Sequence, residues 1–213
     1  MKTVPFKSSE DVLAVVDEVR THLDRGGLLV HPTETVYGLG AKPEAQSISR
    51  MNRAKERDES QPVLLLIAGI EMLESWGISL PPSAQTLAKA FWPGAITMVL
   101  PVTSKTQLPE LARPNGGVAV RWTSHKNMRR LIELVDLPLP STSANRTGQP
   151  PPLTLEAVAD FDAYGEVLAL DGGPLENIKP STVVDCTGDK VQLVREGPVS
   201  RGEIEALIGY TIA

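Results

Sequence analysis

Four polar clusters interrupt the apolar runs of this chain, and each carries groups suited to an anionic ligand. The run Leu28-Leu29-Val30-His31-Pro32-Thr33-Glu34-Thr35-Val36-Tyr37-Gly38-Leu39-Gly40 brings hydroxyls and a carboxylate to the end of an apolar segment, and its glycines permit close backbone approach. Lys55 and Arg57 stand at the end of a helical pattern, where cations can spread the charge of a polyphosphate or simply complement a helix dipole. The third cluster joins two pieces: the segment from Gly116 and Gly117 through Val118, Ala119 and Val120 into a lone Arg121, which suits a carboxylate, and Ser141-Thr142-Ser143-Ala144-Asn145, which reads as a turn offering hydroxyls and N–H groups to an anion. Ser181 and Thr182 with Arg195 repeat the combination of hydroxyls and cation. Together these clusters describe a phosphate site of scattered cations and hydroxyls that works by positioning and charge stabilisation, with no covalent nucleophile.

Other chemistries lack their residues. There is no GxxxxGK[ST] loop, and Pro43 stands where Gly38-Leu39-Gly40 would need the third glycine of a dinucleotide fingerprint. His22, His31 and His125 have no HExxH spacing, and no GxSxG surrounds a serine. Cys186 is the only cysteine, so neither an intramolecular disulfide nor a cysteine-based zinc site is available, which fits a reducing compartment; a cytoplasmic protein with no dedicated metal site is expected. No run of about 18 apolar residues occurs, so no membrane span is expected. The net charge of -5 gives no overall attraction to a polyanion, and an RNA contact would need a local cluster such as His125, Lys126, Arg129 and Arg130.

The elements that must position these groups alternate. Ser8 or Ser9 caps a helix in which Val12, Val15, Val16, Val19 and Leu23 recur at helical spacing, stopped by Gly26-Gly27. A strand at Leu28 to His31 follows, then a helical pattern through Ala45, Ile48, Met51 and Lys55, and a strand from Val63 to Ile67 opened by Pro62. Ser83 to Phe91 and His125 to Val135 read as helices, and Ile96 to Val102 and Val118 to Trp122 as strands. Phe91-Trp92-Pro93-Gly94 is assigned to packing and a turn, and Pro81-Pro82 and Pro150-Pro151-Pro152 to stiff loops. The last third holds three short β-like runs, Val167 to Leu170, Thr182 to Val184 and Val191 to Val194, before a closing helix from Arg201 to Ile208. With no room for helices between those runs, the chain predicts one α/β domain with an open, twisted mixed sheet and flanking helices.

The ordered set HPTETVYGLGA (31–41), Lys55-x-Arg57, FWPGAITMVL (91–100), GGVAVR (116–121), STSAN-x-TG-x-P (141–150), STVVD (181–185) and VREG (194–197) resembles the YrdC-like threonylcarbamoyl-AMP synthase family. The resemblance covers about residues 28–195 and implies a YrdC/RibB-like single domain over 1–213, with a concave positive face and without the further C-terminal domain of longer members. It implies that ATP, accompanied by Mg2+, L-threonine and bicarbonate yield threonylcarbamoyl-AMP and pyrophosphate for threonylcarbamoyladenosine modification of tRNA next to the anticodon. It also implies downstream threonylcarbamoyl transferase proteins as partners, and tRNA or double-stranded RNA as a ligand of the concave face. By motif position, Thr35, Arg121 and Ser141 fall on the threonine side. Lys55, Arg57, Gln61, Ser143, Asn145, Ser181 and Arg195 fall on the nucleotide side, with Lys55 and Arg57 the catalytic cations. Asp58, Gln61, Leu66, Pro151 and Glu196 depart from the family pattern of proline, asparagine, histidine, serine and proline, which bears on affinity and substrate identity more than on fold. Two alternatives share the fold: a carbamoyl-adenylate synthase for another small donor, and a non-catalytic RNA-binding paralogue.

Overall fold

A computed structural model describes residues 1–58, 61, 63–113, 116–176 and 179–212. Pro62, expected to open a strand, lies outside the described residues. Ten strands, β1 (Lys2–Pro5), β2 (Leu28–His31), β3 (Gly38–Gly40), β4 (Leu64–Ile67), β5 (Ile96–Pro101), β6 (Gly117–Trp122), β7 (Leu139–Ser143), β8 (Val167–Asp171), β9 (Thr182–Asp185) and β10 (Gln192–Arg195), form one open sheet. Their order is β1-β8-β2-β3-β7-β4-β6-β5-β9-β10. The β1/β8, β2/β8, β4/β6 and β5/β9 pairs are parallel and the other five antiparallel, so the sheet is mixed as predicted.

Six α-helices are present among the described residues: α1 (Ser9–Asp24), α2 (Ala45–Ala54), α3 (Glu71–Ser75), α4 (Pro82–Phe91), α5 (Lys126–Val135) and α6 (Arg201–Ile208). The side-chain alternation of the strands decides which helix covers which face. Leu28 and Val30, Leu65 and Ile67, Ile96 and Met98, and Val118 and Val120 point to one side, where they bury against α2, α4 and α6 through residues such as Met51, Leu87 and Ile204. Leu29, Leu66, Leu139, Leu168 and Leu170 point to the other, under the apolar stripes of α1 (Val12, Val15, Val19, Leu23) and α5 (Met128, Leu131, Ile132, Val135). Ser8 caps α1 with a reciprocal box through Asp11, and Ser200 caps α6 in the same way through Glu203. Trp92 is buried with its indole N–H donated to the Ile96 carbonyl at 2.9 Å, the packing role expected of it.

Two helices are too few to cover the second face. Toward β5, β6, β9 and the ends of β3 and β7, most residues in that phase are small or polar, namely Gly38, Ser141, Ser143, Thr97, Ala119, Arg121 and Ser181, with Val99 and Val183 between them. Small side chains leave a hollow, and polar ones furnish it.

One sequence expectation needs correcting. Ser141, Thr142 and Ser143 are not a turn but the end of β7, paired to β3 (Gly38 opposite Ser143, Gly40 opposite Ser141); the chain turns only from Ala144 onward. β1, β3 and α3 were not anticipated. Each has at most five residues, too few to display a period.

Candidate functional site

The hollow is a cavity of about 580 Å³ reached from the open face of the sheet. Thr35, Arg57, Arg121, Ser141, Ser143, Ser181 and Arg195 all line it, so residues from four separate sequence clusters converge on one space.

At one end the segment after β2 folds back on itself. Thr33 is the pivot: its hydroxyl accepts from the Thr35 and Val36 amides, both at 3.1 Å, and donates to the Val36 carbonyl at 2.7 Å. This presents Thr35 Oγ1 to Arg121, whose Nη1 donates to it at 3.2 Å. Arg121 is 4% exposed, and its Nε lies 3.4 Å from Glu34 Oε1 without hydrogen-bond geometry. Glu34 receives its hydrogen bond from Thr123 at 2.5 Å instead. Burial lowers the guanidinium pKa and the Glu34 carboxylate opposes that shift, so Arg121 stays a cation held by one carboxylate. A buried arginine with a single acidic neighbour is well placed to receive a second carboxylate from a ligand.

The expected cation pair of Lys55 and Arg57 is divided by the structure. Lys55 caps the C-terminus of α2, and Glu56, in a left-handed conformation (φ 53), turns the chain so that the two side chains leave in different directions. Arg57 lines the cavity, and its Nε donates to Gln61 Oε1 at 2.9 Å, so Gln61 steadies the guanidinium. Lys55 is buried beneath the segment after β7. Its ammonium donates to the Ser143 carbonyl at 2.6 Å, to the Asn145 carbonyl, and to Asn145 Oδ1 at 3.2 Å. The Asn145 amide then donates to the Arg146 and Gln149 carbonyls at 2.9 and 2.6 Å. Lys55 and Asn145 therefore hold the turn that sets Ser143 at the cavity wall. Burial, followed by the charge of Arg57, lowers the Lys55 pKa to about 8.

The far wall is the β9/β10 end. Arg195 donates through Nε and Nη2 to the Ser181 carbonyl at 3.1 and 2.9 Å, while Ser181 Oγ and Thr97 Oγ1 share a hydrogen bond of 2.8 Å. Burial, then Arg121, lowers the Arg195 pKa. The cavity thus holds three guanidiniums, and Glu34 pairs with only one of them.

Sequence reading missed Thr97 and Thr123, and gave His31 no role. Thr97 carried a signal: it is the polar residue in the off-core phase of Ile96-Thr97-Met98-Val99. His31 closes β2, is fully buried, and sits 3.0 Å from Ser141 Oγ. Of the basic row on α5, His125 is occupied in accepting from the Met128 amide and Arg130 pairs with Glu133 at 2.9 Å. Among the described residues no group of three or more His, Cys, Asp or Glu could hold a metal ion, and no helix is long and apolar enough to cross a membrane.

Comparison with known proteins agrees with this arrangement. The family pattern Sua5_yciO_yrdC, described as "Telomere recombination", matches residues 21–197. A Bacillus subtilis protein named threonylcarbamoyl-AMP synthase is 38% identical over 216 residues, covering 96% of this chain and 62% of its own length. One of the same name from Pyrococcus abyssi is 40% identical over 189 residues, covering 86% of this chain and 54% of its own. The crystal structure of P. abyssi Sua5 complexed with L-threonine superposes with a TM-score of 0.86 at 35% identity, over 99% of this chain and 61% of that one. The chain therefore spans little more than half the length of these relatives. The match over most of its residues, on a fold that brings the same motifs to one cavity, establishes that the chain belongs to the Sua5/YciO/YrdC family.

Proposed function

We propose that this chain is an L-threonylcarbamoyladenylate synthase. The observation that carries the reading is the set of cations and hydroxyls in one cavity: Arg121 donating to Thr35, with Arg57, Arg195, Ser143 and Ser181 lining the same space. The first set suits the carboxylate of an amino acid and the second a polyphosphate. Relatives named threonylcarbamoyl-AMP synthase, and one solved with L-threonine, support the choice of substrates.

On this reading the threonine amine condenses with bicarbonate to a carbamate with loss of water, a carbamate oxygen attacks the α-phosphorus of ATP, and the bond to the β-phosphate oxygen breaks to release pyrophosphate. No protein nucleophile is needed; the cations bind and orient the phosphates and offset charge as it moves to the leaving group. Mg2+ arrives with ATP as part of the substrate. On the same reading the unstable mixed anhydride passes to a threonylcarbamoyl transferase acting on tRNA, and the protein works in the cytoplasm.

The test is pyrophosphate release with bicarbonate and each amino acid in turn. Release specific to threonine, and lost on Arg57→Ala by two orders of magnitude or more at fixed ATP (~3 kcal/mol for a phosphate-side cation), supports the synthase. Release with a different amino acid supports the alternative donor. Silence from folded protein, with RNA affinity that falls steeply with salt, supports the RNA-binding paralogue.

A further inference from the structure

The buried contact between His31 and Ser141 has no part in the reading above, and its geometry admits only one proton arrangement. The His31 ring is wholly enclosed. Its Nδ1 faces the Pro32 carbonyl at 3.2 Å, and its Nε2 faces Ser141 Oγ at 3.0 Å. A carbonyl only accepts, so Nδ1 must carry the proton of that bond. Burial, the largest influence, holds the imidazole pKa down at about 4, with Arg121 and His125 adding to the shift, so the ring is neutral near pH 7 and has only that one proton. Nε2 is then a bare lone pair, and the Ser141 hydroxyl must donate into it. A hydroxyl has one proton. What Ser141 has left for the cavity is its oxygen, as an acceptor.

Gly38 seals the pair. A Cβ there would lie 2.6 Å from His31 Cε1 and 2.8 Å from Ser141 Oγ, so only glycine lets the β3 backbone cover the contact.

We infer that His31 is a positioning residue which fixes Ser141 as an obligate hydrogen-bond acceptor, so that this corner of the cavity admits a donor group of the small substrate, its hydroxyl or its amine, and disfavours an anion. The inference rests on the synthase reading only for the identity of the substrate. It gives the two ends of the amino-acid side opposite polarity: Arg121 offers donors to a carboxylate, and Ser141 offers a lone pair.

Two measurements test it, and neither requires turnover. The first is the 15N spectrum of the His31 ring in the wild-type protein, between pH 6 and 8. A protonated Nδ1 with an unprotonated Nε2 is expected; the opposite tautomer or a doubly protonated ring overturns the inference. The second is calorimetric binding of L-threonine, L-2-aminobutyrate, which lacks the hydroxyl, and 3-hydroxybutyrate, which lacks the amine.

In the wild type, removing the group that meets Ser141 weakens binding about tenfold, the value of one buried hydrogen bond. The analogue affected identifies the donor as hydroxyl or amine. In Ser141→Ala that discrimination collapses toward unity. It also collapses in His31→Phe, where the hydroxyl is free to rotate, and returns at least in part in His31→Gln, whose amide oxygen can accept again. Discrimination unchanged in Ser141→Ala, or retained in His31→Phe, overturns the inference. A silent pyrophosphate assay sinks the synthase reading while the tautomer measurement still decides this one.

Discussion

At the scale of single residues, burial sets the ionic form each group keeps, and pH can report it. His31 has a pKa of about 4 in the folded chain against 6.5 when exposed. Between those values the unfolded chain binds a proton that the native one refuses. The stability from keeping His31 neutral is fully present above pH 6.5 and is lost progressively as pH falls toward 4, by about 3 kcal/mol in all. Denaturant titrations at pH 7 and pH 4.5 are expected to show a smaller acid loss for His31→Gln than for wild type, and equal losses would contradict the assignment. The clusters taken together, with the family resemblance, pointed to most of the polar cavity lining, although each hydroxyl or cation alone also has an ordinary structural use. They did not separate Lys55 from Arg57. That division depends on the left-handed turn at Glu56, a conformation seldom adopted by a non-glycine residue and invisible in composition.

At the scale of elements, the turn after β7 is the part most dependent on a single buried charge. Lys55→Met leaves the acceptors of Ser143 and Asn145 without their ammonium. The expected result is faster amide exchange through residues 143–149 and weaker nucleotide binding, with α2 still formed by circular dichroism; Lys55→Arg, too large for the same space, should not restore it. At β3, Gly38→Ala drives a methyl into His31 and Ser141, and threonine affinity should fall at least tenfold. The long elements were legible because α1, α2, α4 and α5 carry their apolar stripes at helical spacing, and α1 has its serine cap in sequence. β7 was not. Its residues Leu139-Pro140-Ser141-Thr142-Ser143 include a proline in an interior strand, and its cavity-facing positions are polar, so the alternation that marks a half-buried strand is absent.

For the whole molecule, the class of fold was legible from the mixture of elements, while the strand order was not, since pairings such as β1 with β8 join residues more than 160 positions apart. Cys186 offers a probe of the assembled structure. It is 1% exposed, and burial, aided by Asp185, pushes its thiol pKa up to about 12. Thiol labelling should therefore proceed at the rate of global opening, accelerating with denaturant along the unfolding limb; labelling as fast as a free thiol under native conditions would mean that the β9 end opens independently.

The place of β8 between β1 and β2 also bears on how the chain is made. Synthesis is vectorial, and α1 leaves the ribosome long before the strand it is to cover. Val12, Val15, Val19 and Leu23 find Leu168 and Leu170 only after Asp171 has emerged, and until then that apolar stripe travels on an unfinished polypeptide. A nascent chain arrested before Val167 would carry every cavity residue from Thr33 to Pro151 and still offer chaperones and proteases a helix lacking the leucines of β8.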